Sequence, residues 1–225
     1  MQWQDSGYLL YKNNFSENSI IADILTANHG RCVGVIYGGS SRKLKKYLQI
    51  GNKVSVIYKS KTEDKIGYFT IEIIKVVTPN FFDDKKKMSC ILSAFTFLKI
   101  LLPERQPNNK IFVLLENLIN DLQNQKWILS YIFWELLLIK ELGFDFDLSK
   151  AKILKKTSAN QLNVCINNKY YDMPEFLISK KNVGITNKGI KKALIFNRNL
   201  LTECFSETNS IRIPLARNIL ENYYN

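Results

Sequence analysis

The sequence predicts an α+β protein: an N-terminal five-stranded OB-fold barrel followed by a mainly α-helical domain. Three observations carry that expectation. Five short runs rich in Ile, Val, Tyr and Thr crowd the first 79 residues. Beyond Pro79 the apolar residues recur at helical spacing instead. A chain of 225 residues, 46% of them hydrophobic, can bury a real core in one large domain or two small ones. The boundary is expected at 79/80, giving a barrel over 1–79 and a helical domain over 80–225.

The strands are expected at residues 7–12, 20–26, 31–37, 53–59 and 66–77, all enriched in side chains that suit a pleated, half-buried surface. In the fourth, Val54, Val56 and Tyr58 alternate with Lys53, Ser55 and Lys59, because successive side chains of a strand point to opposite faces. In the fifth, Phe69, Ile71 and Ile73 share a face, and the adjacent Ile73 and Ile74 indicate a bulge or a strand buried on both sides. Asn28-His29-Gly30 and Gln49-Ile50-Gly51-Asn52 supply turns, and Gly38-Gly39-Ser40-Ser41 a flexible loop. Short strands at this density fit a small closed barrel.

Thr78-Pro79 ends the strand pattern. Ile91, Phe95, Leu98 and Leu102 then line one helix face, and Pro103 stops that helix because it has no amide donor. Ile111, Leu115, Leu118 and Leu122 mark a second amphipathic helix. Residues 126–142 are apolar nearly all round, as in the central helix of a bundle, with Gly143 as the cap. No period persists over 151–187, which reads as irregular. Helices return at 188–204 and 214–224, the second with Pro214 near its start, where a missing amide costs least.

Composition and motifs exclude several classes. Asp5 and the lack of an apolar run in the first eight residues predict no signal peptide. The longest apolar stretch, 127–139, is interrupted by Glu135 and is shorter than the roughly 20 residues of a membrane span, so no membrane partner is expected. Cys32, Cys90, Cys165 and Cys204 lie far apart, as reduced and mostly buried thiols of a cytoplasmic protein would. His29, the only histidine, sits in a turn and reads as solvated, and no catalytic triad can be assembled without it. Asp145 and Asp147 would suit a nuclease magnesium, or a turn after the buried helix; without a third acid nearby the turn is favoured. Asp83 and Asp84 suit a helix N-terminus, whose dipole favours acids. The glycines at 34, 38 and 39 do not complete a GxxxxGK[ST] loop. No enzymatic activity is expected.

Charge points the other way. The net charge is +12, and lysine outnumbers arginine 26 to 6 beside 23 Asn and 26 Ile, a bias that AT-rich codons also produce. Location separates the two causes. Residues 1–79 carry 11 basic and 6 acidic side chains, 80–150 carry 9 and 9, and 151–225 carry 12 and 5. Within 31–65 there are nine basic residues (Arg31, Arg42, Lys43, Lys45, Lys46, Lys53, Lys59, Lys61 and Lys65) against only Glu63 and Asp64. A field of one sign concentrated on one barrel suits a polyanion, and these nine are the candidate DNA contacts. Tyr37, Tyr47, Tyr58 and Tyr68 are interspersed; exposed ones would stack bases, but the expectation is that they belong to the core.

Several stretches resemble the RecO family of bacterial recombinational repair proteins, alphaproteobacterial members in particular. They are Gly7-Tyr8-Leu9-Leu10, the run from Ser16 to Ile21, Leu25-Thr26, Gly30-Arg31, the basic loop from Gly38 to Lys43, and Leu48-Gln49-Ile50-Gly51 with Ile50 in place of the usual proline. Leu101-Leu102-Pro103-Glu104-Arg105 and Phe133-Trp134-Glu135-Leu136-Leu137 through Phe144 continue the likeness in order, and Pro214-Leu215-Ala216-Arg217 resembles the family's terminal pattern. The resemblance implies an OB-fold, a helical domain and a non-enzymatic role. It further implies binding of single- and double-stranded DNA, annealing of complementary strands, and partnership with RecR, the C-terminal tail of single-strand-binding protein and, indirectly, RecA. A cytoplasmic, nucleoid-associated location goes with that role. Some members hold a four-cysteine zinc in the segment matching 151–187; here only Cys165 falls there, so no zinc or other cofactor is expected. The alternatives are an adaptor acting mainly through protein contacts and a metal-dependent nuclease using Asp145 and Asp147.

Overall fold

Alternating strands close on themselves at the N-terminus. In the computed structural model, β1 (Gln2–Ser16), β2 (Ser19–Thr26), β3 (Gly30–Tyr37), β4 (Lys53–Lys59) and β5 (Gly67–Lys75) form a closed barrel in the order β1-β2-β3-β5-β4. β1 also pairs with β4, and only β3 and β5 run parallel. A short helix, α1 (Arg42–Tyr47), connects β3 to β4. This is OB-fold topology. The structure describes residues 1–62, 65–144, 152–158, 161–166, 169–179, 184–205 and 212–225. They divide into two compact units, 1–113 and 114–225, with the division inside α3 (Asn109–Asp121).

Strand alternation builds the barrel core. Val54, Val56 and Tyr58 are buried with Leu9, Ile24, Ile36 and Phe69. Lys53 pairs with Lys75 but Val54 pairs with Ile73, so Ile74 is the extra residue of a bulge and its side chain is exposed. A second irregularity lies in β1, which begins earlier and ends later than residues 7–12. Leu9 pairs with Ile24 and Tyr11 with Asp23, so Leu10 interrupts the alternation. Lys12 consequently pairs with Ala22, a core residue, and takes the inner side of the strand.

The turn at 49–52 is a junction. The buried Asn52 side chain donates to the Tyr47 carbonyl at 2.8 Å and accepts from the Val77 and Thr78 amides at 2.9 and 3.3 Å. Gly51 has φ +94°, and a Cβ there would clash with Thr78 Oγ1. Asp84 caps α2 (Lys85–Leu101), accepting from the Lys86 and Lys87 amides at 3.1 and 3.0 Å. Ile91, Phe95 and Leu98 are buried, and Tyr8 of the barrel meets Phe95 and Phe112 at ring-centroid distances of 6.2 and 5.7 Å.

In the second unit, α4 (Trp127–Glu141) is buried over most of its circumference, and Gly143 follows with φ +92°. Glu135, fully buried in that apolar helix, is matched by Arg217 of α7 (Leu215–Asn222) and Asn197 of α6 (Asn187–Cys204). The stretch without a sequence period holds a three-stranded antiparallel sheet, β6 (Lys152–Ser158), β7 (Gln161–Ile166) and β8 (Lys169–Pro174), followed by α5 (Phe176–Ser179). Its signal is short: Leu162 and Val164 are buried on either side of Asn163. Among the described residues, no helix is long and apolar enough to cross a membrane.

Candidate nucleic-acid interface

The basic run after β3 is not an open loop, as the glycines and serines suggested, but the helix α1. Ser41 caps it by accepting from the Leu44 amide at 3.4 Å. Leu44 packs on the barrel core and Leu48 lies within it, so the helix is anchored along one side. Arg42, Lys45, Lys46 and Tyr47 are exposed on the other. Lys45 and Lys46 stand in the last turn, where the helix dipole favours cations, and Arg42, Lys45 and Lys46 make no ion pair among the described residues. Of Lys43 the structure describes the backbone only.

A second basic group flanks the β4–β5 connection, with Lys61 and Lys65 exposed and Lys59 half-buried. Strand register sets what lies beside them. Lys59 pairs with Tyr68, Tyr68 with Val35, and Val35 with Ile21, which puts the four in one row on the outer barrel face. Tyr37, two residues beyond Val35, shares that face; its ring centroid is 6.0 Å from that of Tyr68, with the planes tilted by 54°. Tyr37 is the last residue of β3, before the segment leading to α1, and Tyr68 is the second residue of β5, after the β4–β5 connection.

These exposures correct the reading of the tyrosines as core residues. Tyr58 is 3% exposed, but Tyr37 is 69%, Tyr68 40% and Tyr47 44% exposed. For Tyr68 the signal was present: alternation that turns Phe69 inward turns its neighbour outward.

Two of the nine basic candidates are occupied by the fold. Arg31 is only 14% exposed; its Nη1 donates to Asp23 Oδ2 and to the Lys99 carbonyl, each at 2.9 Å, and its Nη2 to Glu104 Oε1 at 3.2 Å. With the Arg105 amide donating to the Arg31 carbonyl at 2.7 Å, this clips residues 99–105 onto the barrel. Lys53 is half-buried, its Nζ 5.5 Å from the centre of the Tyr8 ring and 5.7 Å from that of Phe112, within cation–π range.

His29 is not merely solvated: it stacks on Trp3 at 4.0 Å and its Nδ1 lies 2.9 Å from Asp5 Oδ2. Burial works to raise the Asp5 carboxyl, but hydrogen bonds from His29, Asn28 and Ser6 outweigh it and hold the group below its ordinary value. Asp145 and Asp147 lie outside the described residues. Among the described residues, no three His, Cys, Asp or Glu side chains group to hold a metal. Cys32 and Cys90 are buried, and Cys165 and Cys204 are half-buried.

Comparison with known proteins places this architecture. Residues 1–77 match the family model described as Recombination protein O N terminal, and residues 83–161 match Recombination protein O C terminal. The chain belongs to the RecO family. Several proteins called DNA repair protein RecO are similar to it. One from Cereibacter sphaeroides (strain ATCC 17029 / ATH 2.4.9) is 32% identical over 153 residues, 68% of this chain and 64% of that protein. One from Caulobacter vibrioides (strain NA1000 / CB15N) is 34% identical over 152 residues, 67% and 63% of the two chains. One from Rhodospirillum centenum (strain ATCC 51521 / SW) is 28% identical over 162 residues, 72% and 65%. The match thus spans somewhat under two thirds of these RecO proteins. Among solved structures, Entamoeba histolytica asparaginyl-tRNA synthetase aligns over 75% of this chain and 39% of its own, at 12% identity and a TM-score of 0.27, too low to bear on the fold.

Proposed function

We propose that the chain is a DNA repair and recombination mediator of the RecF pathway. In this reading it binds single- and double-stranded DNA, anneals complementary strands, and helps RecR load RecA onto strands coated by single-strand-binding protein, whose acidic tail it engages. The observation that carries the reading is the exposed Tyr37–Tyr68 pair on an OB-fold barrel whose α1 and β4–β5 connection both carry exposed cations. Cations that neutralise phosphates and rings that stack unpaired bases are the two components of single-strand binding on this fold. Annealing follows physically, because two strands neutralised on one surface repel each other less. The mechanism has no covalent step and uses no metal or cofactor. Family membership and the names of the relatives support the repair context.

The test is annealing of complementary oligonucleotides coated with single-strand-binding protein, without nucleotide. The protein is expected to accelerate it. Single-strand affinity should fall with salt by about 0.7 log units per log unit of salt for each phosphate contacted. Replacing Arg42, Lys45 and Lys46 by Ala should flatten that slope by up to about 2. An unchanged slope would remove α1 from the interface.

A second reading, an adaptor working mainly through protein contacts, is favoured by an apolar groove of about 300 Å³ lined by Leu118, Leu129, Phe133, Trp134 and Leu137. Co-elution with RecR or with the tail peptide of single-strand-binding protein, undiminished by the α1 substitutions and without DNA binding, would favour the adaptor.

A further inference from the structure

Where α1 packs on the barrel, a cavity of about 350 Å³ opens between Lys12 and Asn14 of β1, Gly39 and Ser40 of the segment after β3, and Lys45 of α1. Its form follows from two local features. The irregularity at Leu10 sets Lys12 in register with Ala22, and Asn14 in register with Ile20, so both take the inner side of β1. Gly39 lets the connecting segment lie flush against the barrel, since a Cβ there would meet Ile20 Cγ1 at 2.6 Å. The cavity therefore has an apolar floor at Ile20 and polar walls.

Its charge is unusual. Lys12 and Lys45 share the cavity, and neither makes an ion pair among the described residues. Glu17 also lines the cavity, which leaves the lining net positive. Two like charges lining one cavity repel each other, a cost that an anion between them removes.

We propose that this cavity seats one phosphate of a nucleic-acid backbone between the ammonium groups of Lys12 and Lys45, with the Ser40 hydroxyl and the Asn14 amide as further donors. The proposal rests on the DNA-binding reading above and deepens it. It adds Lys12, which lies outside the basic stretch at 31–65, and it ties the β1–β2 end of the barrel to α1 through the bound strand. The free protein carries a matching signature: burial, and then the charge of Lys45, hold the Lys12 ammonium below its ordinary value. The negative charge of a phosphate in the seat favours the ammonium, outweighs both effects and raises it, with Lys45 and Glu17 the other charged groups facing the site.

The experiment combines NMR titration of the Lys12 side chain with binding measured across salt, using an oligothymidylate and, separately, inorganic phosphate. With the oligonucleotide, the Lys12 signal should shift and its pKa should rise. Lys12→Gln should weaken binding roughly tenfold, the scale of one charge-assisted contact, and flatten the salt slope by about 0.7. Lys12→Arg should preserve the slope, which separates lost charge from lost folding, and Glu17→Gln should tighten binding. If Lys12→Gln binds with unchanged affinity and slope while the α1 substitutions weaken binding, the seat is refuted and the DNA-binding reading stands. If the Lys12 signal responds to inorganic phosphate but the protein binds no oligonucleotide, the backbone assignment and the proposed function both fall.

Discussion

Arg31 and Lys46 carry the same charge and do opposite jobs, because only one of them has acids within reach. Arg31 meets Asp23 and Glu104, and the Asp23 carboxyl is in turn almost wholly buried. Burial pushes that carboxyl up to about 6, against the pull of Arg31. Asp23 therefore takes up a proton on folding between pH 4 and pH 6, and its contribution to stability falls as pH rises through that window. Chemical denaturation across this range should show the wild type losing about 1–3 kcal/mol relative to Asp23→Asn as pH rises. Parallel pH profiles for the two proteins would show that the Asp23 carboxyl does not titrate there. Tyr37 and Tyr68 carry the second prediction at this scale. Stacking is worth about 1–3 kcal/mol per base, so Tyr37→Ala with Tyr68→Ala should cost single-strand affinity about 5-fold or more. Duplex affinity should change little, because paired bases are already stacked. Anisotropy titrations with both substrates decide it, and equal losses on the two would rule out a stacking role.

At the scale of elements, small irregularities and single buried charges decide what the regular pieces can do. The bulge at Ile74 and the irregularity at Leu10 each reset strand alternation, and the second turns a lysine inward. In the second unit, α4, α6 and α7 are tied by one guanidinium. Arg217 Nε donates to Glu135 Oε1 at 2.5 Å, Nη2 to Glu135 Oε2 at 3.2 Å and to the Leu194 carbonyl at 2.7 Å, and Nη1 to Glu221 Oε2 at 3.2 Å. Asn197 donates to Glu135 Oε2 at 3.0 Å, and Arg198 pairs with Glu221 at 3.0 Å. Burial alone would favour the uncharged guanidine, but Glu135 and then Tyr131 and Glu221 more than offset it, holding the group charged. Arg217→Met would leave Glu135 buried and unpaired, at a cost of about 3–5 kcal/mol in urea unfolding. Replacing Glu135 and Arg217 together by Met should recover much of that loss, since no uncompensated charge remains. A loss below about 1 kcal/mol for Arg217→Met would mean the cluster does not tie these helices together.

Over the whole molecule, the charge that looked like a single excess of +12 separates into different roles. Arg31 and Lys53 hold the first unit together, Arg217 holds the second, and Arg42, Lys45, Lys46, Lys61 and Lys65 face outward. The barrel and the long helices were legible in the sequence because their signals are local. Val54, Val56 and Tyr58 announce a strand face, and Ile91, Phe95 and Leu98 a helix face, each within a few residues. The sheet at β6–β8 was not legible, because alternation over so short a run among Lys, Asn and Ser does not stand out. Nor was Lys12, whose inward placement depends on one extra residue two positions earlier. The barrel and the faces its strands and helices bury follow from near-neighbour periodicity, and the stretch that concentrates positive charge follows from a count along the chain. Which cations stay available and which are held by the fold is set instead by packing, because that turns on partners far apart in the chain: Glu104 and Lys99 for Arg31, and Phe112 for Lys53.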